Sequence, residues 1–394
     1  MVSINYSLQK ISTIVGGTFL QKGDSKNIAA EVLIDSRRLS SPDNTLFVAL
    51  ITKNNDGHNY VPELYEKGVR NFMLSREPEE PEISNIKEAN ILLVDDTLKA
   101  LQKLAAYHRR QFTMPVIGIS GSNGKTVVKE WLYQLLQEDY HIVRSPKSFN
   151  SQVGVPLSVL QMHENHNLAI VEAGISETDE MDRLVNIIKP DIGVFTNIGA
   201  AHDENFINRL QKAGEKLKLF TSVDVLVYCS DHYEIREQII KSEIWRKIDI
   251  FEWSTSNEAD LRVKRTEKKD RQTLVVADYG KKSVQMTIPF TDKASVENAI
   301  HCWMVMLYLG YKQAVISKRI QTLSPVAMRL ELKEGINHCS VINDSYNSDI
   351  TSLEIALDFM NQQNQHKNKT VLLSDILQSG LSSYHLYTKV AKLL

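Results

Sequence analysis

The stretch GISGSNGKTVVKEWLYQLL, from Gly118 to Leu136, sets glycines at 118, 121 and 124 directly before Lys125 and Thr126. That set of residue types grips phosphate. Small residues let the backbone N–H groups of Gly121, Ser122, Asn123 and Gly124 converge on an anion, and the following helix adds the partial positive charge of its N-terminus. Lys125 then reaches the outer phosphates of a nucleotide, and the Thr126 hydroxyl is a ligand for Mg²⁺. Strict G-x-x-x-x-G-K-[ST] spacing would need glycine at position 119, which is Ile119 here, so the loop is a variant that keeps the terminal Gly-Lys-Thr. The bland alternative is a glycine turn with no ligand. The apolar run before it and the helical periodicity after it, through Val127, Val128, Trp131, Leu132, Leu135 and Leu136, argue for nucleotide binding.

Further residues fall where a phosphate site needs them. The run LAIVEAG ends in Glu172, a carboxylate at a strand tip that suits a metal ligand or, more plainly, a helix cap. His202 in AAHDE follows the run DIGVFTNIG and is either a metal ligand or an ordinary polar contact. Lys216, in KAGEKLKLF, reads on its own as a solvated helix lysine, and His163 and His166 read as surface residues. Arg329, Asp344, Tyr346 and Asn347 gather around a strand end in MRLEL and INDSYNSD, where polar residues line a ligand cleft or simply make a turn.

The elements that must hold these groups follow from pattern. Short apolar runs (VIGIS, LAIVEAG, DIGVFTNIG, VDVLVYC) alternate with helix-like stretches, as a parallel α/β sheet requires. We divide the chain at residues 1–111, 112–322 and 323–394. The charged stretch VKRTEKKDRQTLVVADY reads as an antiparallel appendage on the central sheet. In the last region, CSVIND and TVLLSD flank the helical ITSLEIALDFMN as one βαβ unit, too little to cover a parallel sheet, which implies a third domain cut short at Leu394. A net charge of −2 leaves no global field for nucleic acid or anionic lipid, so an acidic ligand is held by local groups. Cys229, Cys302 and Cys339, with no C-x-x-C pair, argue against a disulfide framework or a zinc site and fit a reducing compartment. The N-terminal MVSINYSLQKISTIVGG is broken by Asn5, Gln9 and Lys10 and matches neither a signal peptide nor a membrane span, which points to the cytoplasm.

In this order, IDSRR, LFVAL, DGHNYVPELYEKGV, GISGSNGKT, SPKSFNSQVGVPLSVLQ, VEAG, NIGAAH, MRLELKEG, INDSYNS and LLSDILQSG resemble the Mur ligases, ATP-dependent amide-forming enzymes of peptidoglycan precursor synthesis, over nearly the whole chain. DGH, GVPLS and DSYN are similar to the MurF type, which adds D-alanyl-D-alanine to UDP-N-acetylmuramoyl-tripeptide, and more closely to the variant fused to an alanine racemase. The resemblance implies a three-domain α/β fold: a UDP-sugar-binding N-terminal domain, a central P-loop ATPase and a C-terminal Rossmann-like domain. It implies ATP and Mg²⁺ as cofactors, with Lys125 and Thr126 on phosphate and metal and Glu172 and His202 as metal ligands. It places a carbamylated lysine at Lys216, and with it catalytic roles for Lys125, His202 and Lys216.

By the same resemblance, Asn298 lies beside the adenine, and Arg329 with Asp344 reaches the nucleotide. Ser36 and Arg37 hold the uridine diphosphate end, with Asp56 and His58 on the same face. Asn150 and Ser151 meet the sugar-peptide, and Tyr346 and Asn347 the acceptor. Ser348-Asp349 stands where the family usually has Ala-Asn. The competing readings are a Mur-type ligase for another amino acid and a non-catalytic nucleotide-binding fragment.

Overall fold

The computed structural model describes residues 2–23, 28–79, 85–200, 203–346, 348–363 and 366–394. They form two compact units, one of residues up to 114 with 145–166 and 186–188, the other of residues 115–144, 167–185 and 189–394.

The first unit is built on a six-stranded mixed sheet in the order Val2–Ser7, Ile28–Leu33, Thr45–Val48, Asn71–Leu74, Asn90–Leu93, Thr18–Gln21. The inner pairs are parallel and the two edge strands antiparallel. Strands such as TLFV and NFML are buried throughout, as strands covered on both faces must be. Phe47, Leu64, Phe72 and Ile91 form the core. The helix Thr97–Arg109 is capped by Asp96 and stitches residues 145–166 into this unit, through Gln102 to Gln152 at 3.1 Å and His108 to the Met162 carbonyl at 2.9 Å.

The second unit carries a nine-stranded sheet. Its order is Ile142–Arg144, Leu168–Glu172, Val116–Ser120, Ile192–Phe195, Val225–Cys229, Asp249–Ser254, Leu261–Lys269, Gln272–Tyr279, Lys282–Ile288. The first seven strands are parallel, and the last two run antiparallel as the expected appendage. From Val116–Ser120 the chain goes out to one edge, returns to Leu168–Glu172, then continues on the opposite side. The glycine loop therefore leaves the sheet where the winding reverses, the place at which open α/β sheets bind ligands. The helix Lys125–Leu136 buries Val128, Trp131, Leu132, Leu135 and Leu136 against the sheet.

One expectation fails in the last region. CSVIND supplies the strand Ser340–Asn343, but it pairs antiparallel with Glu331–Glu334, and TVLLSD forms no strand. A strand needs a hydrogen-bonding neighbour, and residues 370–375 have none among the described residues; Leu372 is 97% exposed. The helices Ile350–Gln362 and Ser383–Leu393 pack through Leu353, Leu357, Leu386 and Val390 instead. No helix of the described residues is long and apolar enough to cross a membrane.

Candidate active site

The site is assembled at the C-terminal ends of three adjacent parallel strands. Sheet register sets Glu172 level with Ile119 and Phe195 level with Ser120, so one carboxylate and the loop Gly121–Gly124 share a rim. Two glycines meet the loop's steric demand. Gly121 has φ +145°, and a β-carbon there would stand 2.0 Å from Thr196 Oγ1; Gly124 has φ +81°, and its β-carbon would stand 2.3 Å from Asn298 Oδ1. Gly121→Ala is expected to cost on the order of 1–3 kcal/mol of stability from backbone strain, before any adjustment of Thr196. Urea denaturation of the variant checks it, and an unchanged midpoint contradicts it.

Lys125 opens the helix that follows. Its ammonium donates to the Gly121 and Ser122 carbonyls, each at 2.8 Å, so the side chain folds back over the loop. Loss of water around it pushes its pKa down to about 8, partly opposed by the Glu172 carboxylate. Thr126 Oγ1 donates to Glu172 Oε2 at 2.9 Å, and Arg329 Nη2 lies 3.5 Å from the same hydroxyl. Burial raises the Glu172 pKa, against the pull of Lys129 and Lys125. The buried Glu172 carboxylate and the Thr126 hydroxyl are oxygen donors of the kind a hard divalent ion takes, while Lys125, Lys129 and Arg329 beside them suit an anion such as phosphate.

Lys216 is 3% exposed on the helix Arg209–Leu217. Its pKa is driven well below the ordinary range, first by burial and then by Lys125 and Lys212. It is no solvated lysine. Asn298, also buried, stands against Gly124, and Arg329 lies over the Tyr346 ring at 4.0 Å. Asp344 Oδ1 accepts from the Leu330 N–H at 3.1 Å and has its pKa raised by burial. Asn123, Gly124, Asn298, Arg329 and Asp344 line a cavity of about 640 Å³, closed further by Trp131 stacked on Phe290 at 4.8 Å. That volume suits a nucleotide-sized ligand.

Lys125, Thr126, Glu172, Lys216, Asn298, Arg329, Asp344 and Tyr346 thus belong to one unit and one rim. His202 and Asn347 lie outside the described residues. Ser36, Arg37, Asp56, His58, Asn150 and Ser151 all belong to the other unit. There Ser36 is buried at the start of a short 3₁₀ turn, and the exposed Arg37 is paired with Asp35 at 2.9 Å. His58 accepts from the Ser75 N–H at 3.0 Å and pairs with Asp56 at 2.6 Å, which also caps the turn. Ser151 Oγ accepts from the Gly154 N–H at 3.1 Å, at the start of Gly154–Val159, next to the half-buried Asn150. His163 and His166 stack on each other in an exposed turn.

Sequence reasoning missed three residues near the rim and gave Asp349 no role. Lys129, fully buried one turn after Lys125, pairs with Glu130 at 3.1 Å and opposes the rise that burial imposes on the Glu172 pKa. Lys212, buried one turn before Lys216, contacts Asp203 and the Gly199 carbonyl. In both cases the four-residue spacing from a recognised lysine was the available signal. Asp349 caps the helix Ile350–Gln362, and the next turn touches the loop after Ile192–Phe195, Thr351 Oγ1 accepting from Ala200 N at 3.4 Å.

The third missed residue is His301, fully buried on the helix Lys293–Tyr308, whose pKa burial lowers to about 4. An unfolded histidine binds a proton near pH 6.5 and the folded one near 4, so folding excludes that proton. Its share of stability is complete above about 6.5 and fades as pH falls towards 4, by about 3 kcal/mol in all. The stability difference between the parent and His301→Gln, from urea denaturation, is expected to shrink by that amount between pH 7 and 4. A constant difference would refute it.

Known proteins resemble this chain in sequence and in fold. A family profile described as Mur ligase middle domain covers residues 119–306. A Bacillus subtilis (strain 168) protein named UDP-N-acetylmuramoyl-tripeptide–D-alanyl-D-alanine ligase is 30% identical over 383 residues, spanning 96% of this chain and 80% of that protein. One of the same name from Borreliella burgdorferi is 28% identical, over 92% of this chain and 79% of its own. In structure, MurF from Acinetobacter baumannii gives a TM-score of 0.85 at 24% identity, covering all of this chain and 83% of that one. MurF ligase from Thermotoga maritima in complex with ADP gives 0.72 at 22% identity, over 84% and 75%. The mixed α/β architecture is therefore that of the three-domain ligases of this group.

Proposed function

The chain belongs to the Mur ligases, and from that premise we propose that it joins D-alanyl-D-alanine to UDP-N-acetylmuramoyl-tripeptide with cleavage of ATP, in peptidoglycan precursor synthesis. The observation that carries the reading is that Thr126, hydrogen-bonded to Glu172 and next to Lys125, lies 3.5 Å from Arg329, which with Asn123 and Gly124 lines a nucleotide-sized cavity. The names and coverage of the relatives support the choice of substrates.

The chemistry follows from what a carboxylate lacks. It is a poor acyl donor, because hydroxide-like oxygen is a poor leaving group. The terminal carboxylate of the tripeptide attacks the γ-phosphorus, ADP departs, and an acyl phosphate forms. The amine of D-alanyl-D-alanine then adds to the carbonyl carbon. The tetrahedral intermediate collapses with loss of inorganic phosphate and of the amine's proton, leaving a peptide bond. Lys125, Arg329 and the N-terminus of the helix Lys125–Leu136 supply fixed positive charge where negative charge develops on the transferred group. Asn298 and the Trp131–Phe290 wall border the base end of the cavity. Asp344 braces the Arg329 segment by accepting from Leu330 N–H.

The donor set fits Mg²⁺. Thr126 and Glu172 would hold it, with His202 and Lys216 as further ligands, and it would offset the charge of the phosphates. Lys216 also fits carbamylation, since CO₂ adds to a neutral amine and burial among Lys125 and Lys212 favours that form. The resulting anion would find those cations beside it. Ser36, Arg37, Asp56, His58, Asn150 and Ser151 are proposed for the nucleotide-sugar, and Tyr346 and Asn347 for the acceptor. Residues 1–111, 112–322 and 323–394 are the proposed division of labour. Cytoplasmic action and a racemase fused in the natural protein belong to the same reading, the latter on motif likeness alone.

Phosphate release tests the proposal. It should require ATP, UDP-N-acetylmuramoyl-tripeptide and D-alanyl-D-alanine together. Preference for a single amino acid over the dipeptide would move the chain to another Mur-type ligase, and bound nucleotide without turnover would make it a silent fragment.

A further inference from the structure

We infer that His301 is a positioning residue for the phosphate loop, acting through the peptide that joins Thr196 to Asn197. The inference rests on the nucleotide reading of that loop. Trp253 Nε1–H donates to His301 Nδ1 at 3.3 Å, with the two rings edge to face at 73°. A nitrogen that accepts carries no proton, so the ring's single proton sits on Nε2, which donates to the Thr196 carbonyl at 3.0 Å. Thr196 is fully buried, and its hydroxyl donates to the Asn123 carbonyl at 2.6 Å. On the next residue, the Asn197 carbonyl accepts from Ser122 N–H and its side-chain Oδ1 from Asn123 N–H, both at 2.9 Å. The peptide after Ile192–Phe195 thus clamps both sides of Asn123, and His301 holds its carbonyl from behind.

A purely structural residue at this place would not need these properties. Any apolar side chain of similar volume fills the space, yet it leaves the buried Thr196 carbonyl without the donor that fixes the peptide plane. One donor and one acceptor, on opposite sides of a rigid ring, connect Trp253 to the loop in a single orientation. The same helix presents Asn298 to Gly124 one turn earlier, so residues 298 and 301 brace the loop from one helix face. Burial keeps the ring neutral through the working range, which preserves this pattern of one donor and one acceptor.

The test is a double-mutant cycle on binding of the β,γ-imido analogue of ATP with Mg²⁺, measured by calorimetry on the full chain. His301→Phe and Thr196→Val are each expected to weaken binding about tenfold. Because both interrupt one route, the double variant should bind about as well as either single one. His301→Gln, which can donate and accept at once, should recover most of the affinity. Full affinity in His301→Phe, or losses that multiply to about a hundredfold, would overturn the inference while leaving the nucleotide reading intact. A parent chain that binds no nucleotide would overturn that reading, and this one with it. If His301→Phe does not fold, Trp253→Phe, which withdraws the donor to Nδ1, takes its place in the cycle with the same outcomes.

Discussion

Lys125→Met is expected to leave a folded protein whose kcat for ligation is lower by a factor on the order of 10³. The lysine sits on the loop itself, its ammonium donating to the Gly121 and Ser122 carbonyls. Its lowered pKa shows that the folded chain loses hydration to keep the group there. Such a residue is retained for its ligand rather than for the fold, and removing its charge relieves desolvation and repulsion from Lys216, Lys212 and Arg329. Thermal midpoint and turnover should therefore move separately, with stability equal to or above that of the parent. A large drop in both together would make Lys125 a structural residue.

Glu172→Gln should behave in the same way for the opposite charge. The amide keeps the shape and still accepts from the Thr126 hydroxyl, but it is a poor ligand for a hard cation. Turnover should fall by about 10²–10³, and raising Mg²⁺ should no longer restore it. Stability should rise. The folded carboxyl titrates above its ordinary value, so its favourable contribution exists only at low pH, below the unfolded pKa, and is lost as pH climbs through the folded one. The variant's advantage in urea midpoint should accordingly grow from pH 4 to pH 8. An advantage that shrinks over that range would reverse the assigned shift.

How far the sequence discloses this site depends on the kind of signal. The loop, its helix and Glu172 are readable because an apolar run ending in a single functional residue is a local pattern, and the parallel sheet aligns such ends. Lys216 is not readable from composition, since RLQKAGEKL has the charge of a solvated helix, and only its resemblance to a family motif raised it. Burial of Lys212 and Lys216 comes from a helix face pressed against the rim, a tertiary fact. His301 and Trp253 lie 48 residues apart and meet only because Asp249–Ser254 and Lys293–Tyr308 pack together. TVLLSD shows the converse: β-branched and apolar residues suit a strand, but no local pattern tells whether a neighbour is there to pair with it.

The central claim is that ATP activates the tripeptide carboxylate as an acyl phosphate. It is tested most directly by labelling both oxygens of that terminal carboxylate with the heavy isotope and analysing the inorganic phosphate released during ligation with D-alanyl-D-alanine. One heavy oxygen should appear in each phosphate, carried from the carboxylate through the acyl phosphate. Phosphate that carries none, while the amide product still forms, would contradict the account.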